Sequence, residues 1–79
     1  MRNNPKYLNL YDPEEHEVIE FDMSTVDRII VAPARELMNP KQREAESIDA
    51  MDMVVRVQFK GDSSKEFSLR RYEMDFIYP

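Results

Sequence analysis

The sequence predicts an α+β fold of mostly antiparallel strands, about five of them in a small curved sheet or partial barrel, with one short helix; the sheet forms either a small barrel or an open α+β sandwich. Three observations carry this expectation. Residues 53–59 and 67–69 alternate apolar and polar side chains on either side of the turn-rich "GDSSK", the mark of a half-buried hairpin. Two further strand-like runs flank Asp12-Pro13, a turn-starting pair because proline fixes its own φ and pushes its predecessor towards extended geometry. Only "NPKQREAESIDAM" opens with a strong helix-start signal.

Taken in order, "KYLNLY" (Lys6 to Tyr11) forms the first strand and "VIEFDM" the second, with Ile19, Phe21 and Met23 on one side and Glu20 and Asp22 on the other. "DRIIVAP" is ambiguous, since Ser24 and Asp27 mimic a capping box. Its β-branched Ile29, Ile30 and Val31, followed by Pro33, favour a strand. In the helix, Asn39 caps, Pro40 takes the first position and Gln42 lies three residues after the cap. It is expected to run to about Ala50, to bury Ala45, Ile48 and Met51, and to have its entry stapled by Leu37 and Met38.

The hairpin register follows from parity. Placing Phe59 with Phe67 and Val57 with Leu69 on one face gives a five-residue loop, Gly61 to Lys65, and sets Arg56 opposite Arg70. Beyond Leu69 the alternation loses phase at Arg71, and Tyr72, Met74, Phe76 and Tyr78 carry it on the other parity. A bulge near Arg70 and Arg71 would restore the inward face. The terminal "YEMDFIYP" reads as a core strand, with an interaction arm as the alternative.

At 79 residues the chain is one domain, residues 1–79. A domain of this size buries only roughly 60% of its unfolded surface. It has no cysteine, which excludes disulfides and thiolate metal sites and suits a reducing compartment. No apolar run approaches a membrane span or a signal peptide, so a cytoplasmic protein is expected. With 42% hydrophobic and 34% charged residues and eight Tyr and Phe, the composition is that of a folding chain rather than a disordered one.

The net charge of −5 is unevenly spread. Residues 12–27 hold seven acids and no Lys or Arg, leaving the remainder slightly positive. Phosphate binding by the whole surface is thus disfavoured. The only histidine, His16, lies among Glu14, Glu15 and Glu17. Adjacent turn residues point in different directions, so an exposed turn histidine is expected, and no metal or other cofactor. Charged turns are well solvated, which argues against a raised carboxyl pKa for acid/base work. No nucleophile, phosphate-loop or dinucleotide motif occurs, and no enzymatic activity is expected.

Arg56 opposite Arg70, with Lys60 and Lys65 near, calls for acids. Glu20 and Asp22 lying alongside would supply them, or an acidic or phosphate partner would. The reading that follows is a small non-catalytic protein-binding module whose acidic surface, carried by Glu14, Glu15, Glu17, Glu20, Asp22 and Asp27, engages the basic surface of another protein. Its most concrete form is a regulator or inhibitor of a nucleic-acid-handling protein, of the kind a phage encodes. The alternatives are a small β-barrel binding RNA or DNA through Arg56, Lys60, Lys65, Arg70, Arg71 and Tyr72, and a structural subunit of a larger assembly. Pairing of two copies through an edge strand is a further possibility.

Overall fold

Alternation on both sides of two turns produces two antiparallel hairpins in a computed structural model that describes residues 4–79. The first joins β1 (Tyr7–Asp12) to β2 (Glu17–Asp22). A single 3-10 turn, Met23–Thr25, leads into β3 (Val26–Pro33), followed by two short helices, α1 (Ala34–Leu37) and α2 (Pro40–Ala45). The second hairpin joins β4 (Met53–Phe59) to β5 (Ser64–Ser68), and β6 (Glu73–Ile77) comes last. These six strands make two three-stranded antiparallel sheets, ordered β2-β1-β6 and β3-β4-β5. The arrangement is a small, mostly antiparallel α+β domain in the open-sandwich form rather than the barrel form, with six strands in place of about five and two short helices in place of one.

The sheets pack face to face because each has one apolar side. Leu8 and Leu10 of β1 and Val55 and Val57 of β4 are fully buried, with Ile19, Phe21, Met74 and Phe76 of the first sheet against Ile29, Phe59 and Phe67 of the second. The Phe21 ring bridges the layers, 5.5 Å from Phe59 and 5.8 Å from Phe67. Burying each such side chain contributes roughly 1.5–3 kcal/mol. A second cluster, Ala34, Met38 and Val54 with Leu37 and Ile48, covers the other face of the second sheet. Among the described residues the outer face of the first sheet is uncovered, with Val18, Glu20, Asp22, Glu73, Asp75 and Ile77 all exposed. No described helix is long and apolar enough to cross a membrane.

The helix is shorter than its signals implied. Asn39 and Gln42 form the capping box, with Asn39 Oδ1 accepting from Gln42 N at 2.8 Å. The helix nevertheless ends at Ala45, because Ser47 adopts a left-handed φ of 55°. Ala45 is exposed and Met51 is 64% exposed. Ile48 reaches the core from a loop. Leu37 and Met38 pack on Val54 rather than staple the entry.

The β4–β5 register also differs. Val57 faces Lys65 rather than Leu69, and Val55 faces Phe67. The shift is even, so the inward face is the one parity predicted. Phe59 N–H donates to Ser63 O at 2.8 Å, which leaves a tighter loop, Lys60–Asp62. This loop needs left-handed backbone at Gly61 (φ 98°) and Asp62 (φ 72°), conformations that glycine and aspartate tolerate best. Arg56 consequently faces Glu66, not Arg70, and pairs with it at 3.2 Å.

No bulge interrupts the tail. The Arg71 and Tyr72 N–H groups both donate to Ser68 O (3.2 and 2.9 Å), closing a turn that sends the chain across to the first sheet. The parity change at Arg71 marks this change of sheet. The bulge lies instead in β3, where Asp27 is the extra residue between the pairs Val26–Phe59 and Arg28–Gln58.

Candidate protein-docking face

On β1 the inward positions are Leu8, Leu10 and Asp12, so strand alternation sends Tyr7, Asn9 and Tyr11 outward. The ladders place Asn9 between Glu20 and Asp75, Tyr7 between Asp22 and Ile77, and Tyr11 between Val18 and Glu73. The uncovered face is thus a tyrosine-asparagine-tyrosine column flanked by four carboxylates. Neighbouring strands lie ~4.8 Å apart, which puts Glu20 and Asp75 about 10 Å apart across Asn9. None of these nine positions is Lys or Arg.

Among the described residues the carboxylates of Glu20, Glu73 and Asp75 have no hydrogen-bond or ion-pair partner. Asp22 is engaged: its Oδ1 accepts from Ser24 N at 2.9 Å, capping the 3-10 turn. That bond, the Ser24 side chain and the nearby Lys6 charge hold its carboxyl below the usual aspartate value, against the opposing effect of burial. Lys6 Nζ lies 5.6 Å from the Tyr7 ring centre at the end of the face, within cation–π range. At the centre, Asn9 Oδ1 is buried and unpartnered among the described residues. The face combines unneutralised negative charge with aromatic surface, an arrangement suited to guanidinium or ammonium groups.

The structure separates the six acids that charge density singled out. Glu20 and Asp22 share the outer face of the first sheet. Glu14 and Glu15 occupy the exposed β1–β2 turn, their N–H groups donating to Asp12 Oδ1 at 3.0 and 3.3 Å. Glu17 is opposite Asp12, on the other parity from Glu20. Asp27 sits in the bulge of the second sheet. Glu20 and Asp22 lie opposite Asn9 and Tyr7, so they form no cross-strand pairs with the arginines, contrary to the expectation from charge balance. His16 occupies the turn at φ 53°, its Nδ1 3.2 Å from the Tyr11 hydroxyl. Among the described residues no three His, Asp or Glu side chains gather as metal ligands would.

Arg70, Arg71 and Tyr72 come together at one open cleft, while Arg56, Lys60 and Lys65 lie outside it. Arg56 is held by Glu66 and by Leu37 O, to which it donates at 2.5 Å. Arg71 Nε donates to Asp12 Oδ2 at 2.8 Å. Asp12, only 1% exposed, is held below the ordinary aspartate pKa chiefly by this bond, with the Glu15 and Glu14 amides assisting and burial opposing. Tyr72 packs edge-on against Phe67 at 5.4 Å, so its ring belongs to the core. Arg70 lies 3.7 Å from Asp52 and 3.8 Å from Asp49. Lys60 and Lys65 are exposed. That cleft, beside β5, is walled by Glu66, Arg70 and Arg71, each already ion-paired.

Tyr7, Asn9, Tyr11, Glu73 and Asp75 escaped the sequence reading. Their alternation with Leu8, Leu10, Met74 and Phe76 marks them as outward-facing, but only the pairing of β1 with β6 brings them together. No protein-family model matches the chain, and comparison with curated proteins and with solved structures returned no match.

Proposed function

We propose that this protein is a non-catalytic binding module that engages a basic surface of another protein through the outer face of its first sheet. The observation that carries this reading is the set of unpaired carboxylates, Glu20, Glu73 and Asp75, around the Tyr7, Asn9 and Tyr11 column, on a face left uncovered among the described residues. Nucleic-acid-handling proteins carry basic grooves, and carboxylates fixed on a rigid sheet occupy such a groove where phosphate would lie. The module then acts as a regulator or inhibitor by excluding nucleic acid. Direct nucleic-acid binding is the weaker reading, since Arg56, Arg70 and Arg71 already face carboxylates of this chain.

The test is fluorescence titration with an arginine-rich peptide and, separately, with a labelled oligonucleotide over a range of salt concentrations. The peptide is expected to bind with affinity that falls as salt rises. The variant Glu20→Gln/Glu73→Gln/Asp75→Asn should lose that binding while melting within a few degrees of wild type, because exposed charges contribute little to stability. Peptide binding that survives the triple change, or salt-dependent binding of the oligonucleotide in its place, refutes the proposal.

A further inference from the structure

We propose that the free edge of β6 takes an extended segment of a basic partner as a fourth, antiparallel strand of the first sheet. This rests on reading the outer face as a surface for cations, and it specifies how the partner attaches. The Ile77 carbonyl accepts from Lys6 N–H at 2.7 Å, so the main chain of Ile77 points towards β1. Antiparallel alternation then turns the main chains of Asp75 and Glu73 the same way, and those of Met74 and Phe76 outward. Among the described residues nothing pairs with that edge. Two N–H and two C=O groups are therefore set for strand addition.

Side-chain chemistry selects the occupant. Outward-facing residues of an added strand lie beside Glu73 and Asp75, at cross-strand distances where opposite charges attract and like charges repel. Inward-facing residues lie beside Met74 and Phe76, half-buried at the rim of the core. The fitting segment alternates basic and apolar residues. A second copy of this chain does not fit. Antiparallel pairing of two β6 edges through Met74 and Phe76 sets Asp75 against Asp75, and pairing β6 with the β2 edge of another copy sets acids against Glu20 and Asp22.

A synthetic peptide of alternating arginine and valine tests this on the full chain. In an antiparallel added strand the residues opposite Met74 and Phe76 exchange main-chain bonds with them, so the valine N–H groups point at β6, and N-methylation of the valines removes those bonds and leaves every charge in place. Binding of the parent peptide should slow amide exchange at Met74 and Phe76, and the N-methylated peptide should bind about tenfold more weakly or worse. Asp75→Asn should weaken the parent peptide several-fold. If both peptides bind equally, and binding still requires Glu20, Glu73 and Asp75, strand addition is wrong while the docking face stands. If neither peptide binds, both readings fall. Protection of Met74 and Phe76 that grows with protein concentration in the absence of peptide identifies a second copy as the occupant and overturns the proposal.

Discussion

Val54 offers the sharpest test of the layered fold. Simple alternation along β4 puts it on the polar side with Arg56 and Gln58, where truncation would cost almost nothing. In the structure it is 0% exposed, as Val57 is, but on the opposite side of the sheet, against Ala34, Met38, Leu37 and Ile48. Val54→Ala removes two methyl-sized groups, about 1.6 kcal/mol at ~0.8 kcal/mol per buried carbon. The cavity left beneath α1 raises the loss to about 2–3 kcal/mol. For a domain of this length that is a fall in Tm of roughly 10–20 °C, comparable with the effect of Val57→Ala in the inter-sheet core. Urea unfolding of both variants, fitted with a common m value, measures it. A loss below about 0.5 kcal/mol for Val54→Ala, beside a normal loss for Val57→Ala, would show that the helical layer contributes no packing and would refute the three-layer reasoning.

Two further outcomes follow from the ion pair and from the last strand. Asp12 has its pKa depressed in the fold, so its ionised form stabilises the protein above the unfolded aspartate value, ~3.9. That contribution disappears as pH falls through the lower folded value. Asp12→Asn should therefore flatten the decline in stability below about pH 4, leaving the part owed to Asp22, and an unchanged profile by chemical denaturation would remove Asp12 from the account. Deleting Tyr72 to Pro79 takes away β6 with Tyr72, Met74 and Phe76, all packed on the core. At roughly 1.5–3 kcal/mol each, their loss should abolish cooperative melting in calorimetry. A truncated chain that melts near the full-length temperature would make the tail an appendage.

The strands were legible because their signal is local. Leu8, Leu10, Phe21, Val55 and Val57 face inward as period-two alternation requires. Pair partners were less legible, since alternation is unchanged by an even shift. The left-handed conformations of Gly61 and Asp62, not the apolar pattern, decide that Val57 meets Lys65. The helix was overextended because Ala45, Ile48 and Met51 keep helical spacing after Ser47 has turned the chain. Two of the four carboxylates on the outer face, Glu20 and Asp22, lay within the acidic run. The other two were hidden because Glu73 and Asp75 reach it only through pairing between distant parts of the chain.

The place of β1 between β2 and β6 ties the proposed recognition to complete folding. The β1–β2 hairpin can close from neighbouring residues, and it carries Tyr7, Asn9, Tyr11 and Glu20. The opposite rim arrives only when β6 pairs with β1 from a distant part of the chain, a non-local contact whose loop-closure cost exceeds that of the hairpin. A chain arrested with one sheet or two loose hairpins presents Glu20 but not Glu73 and Asp75 beside it. A partner that requires both rims is blind to such species. Its binding energy is then added wholly to the native state, raising the unfolding free energy by RT ln(1 + [L]/Kd) and withdrawing the bound chain from the pool that opens to proteases.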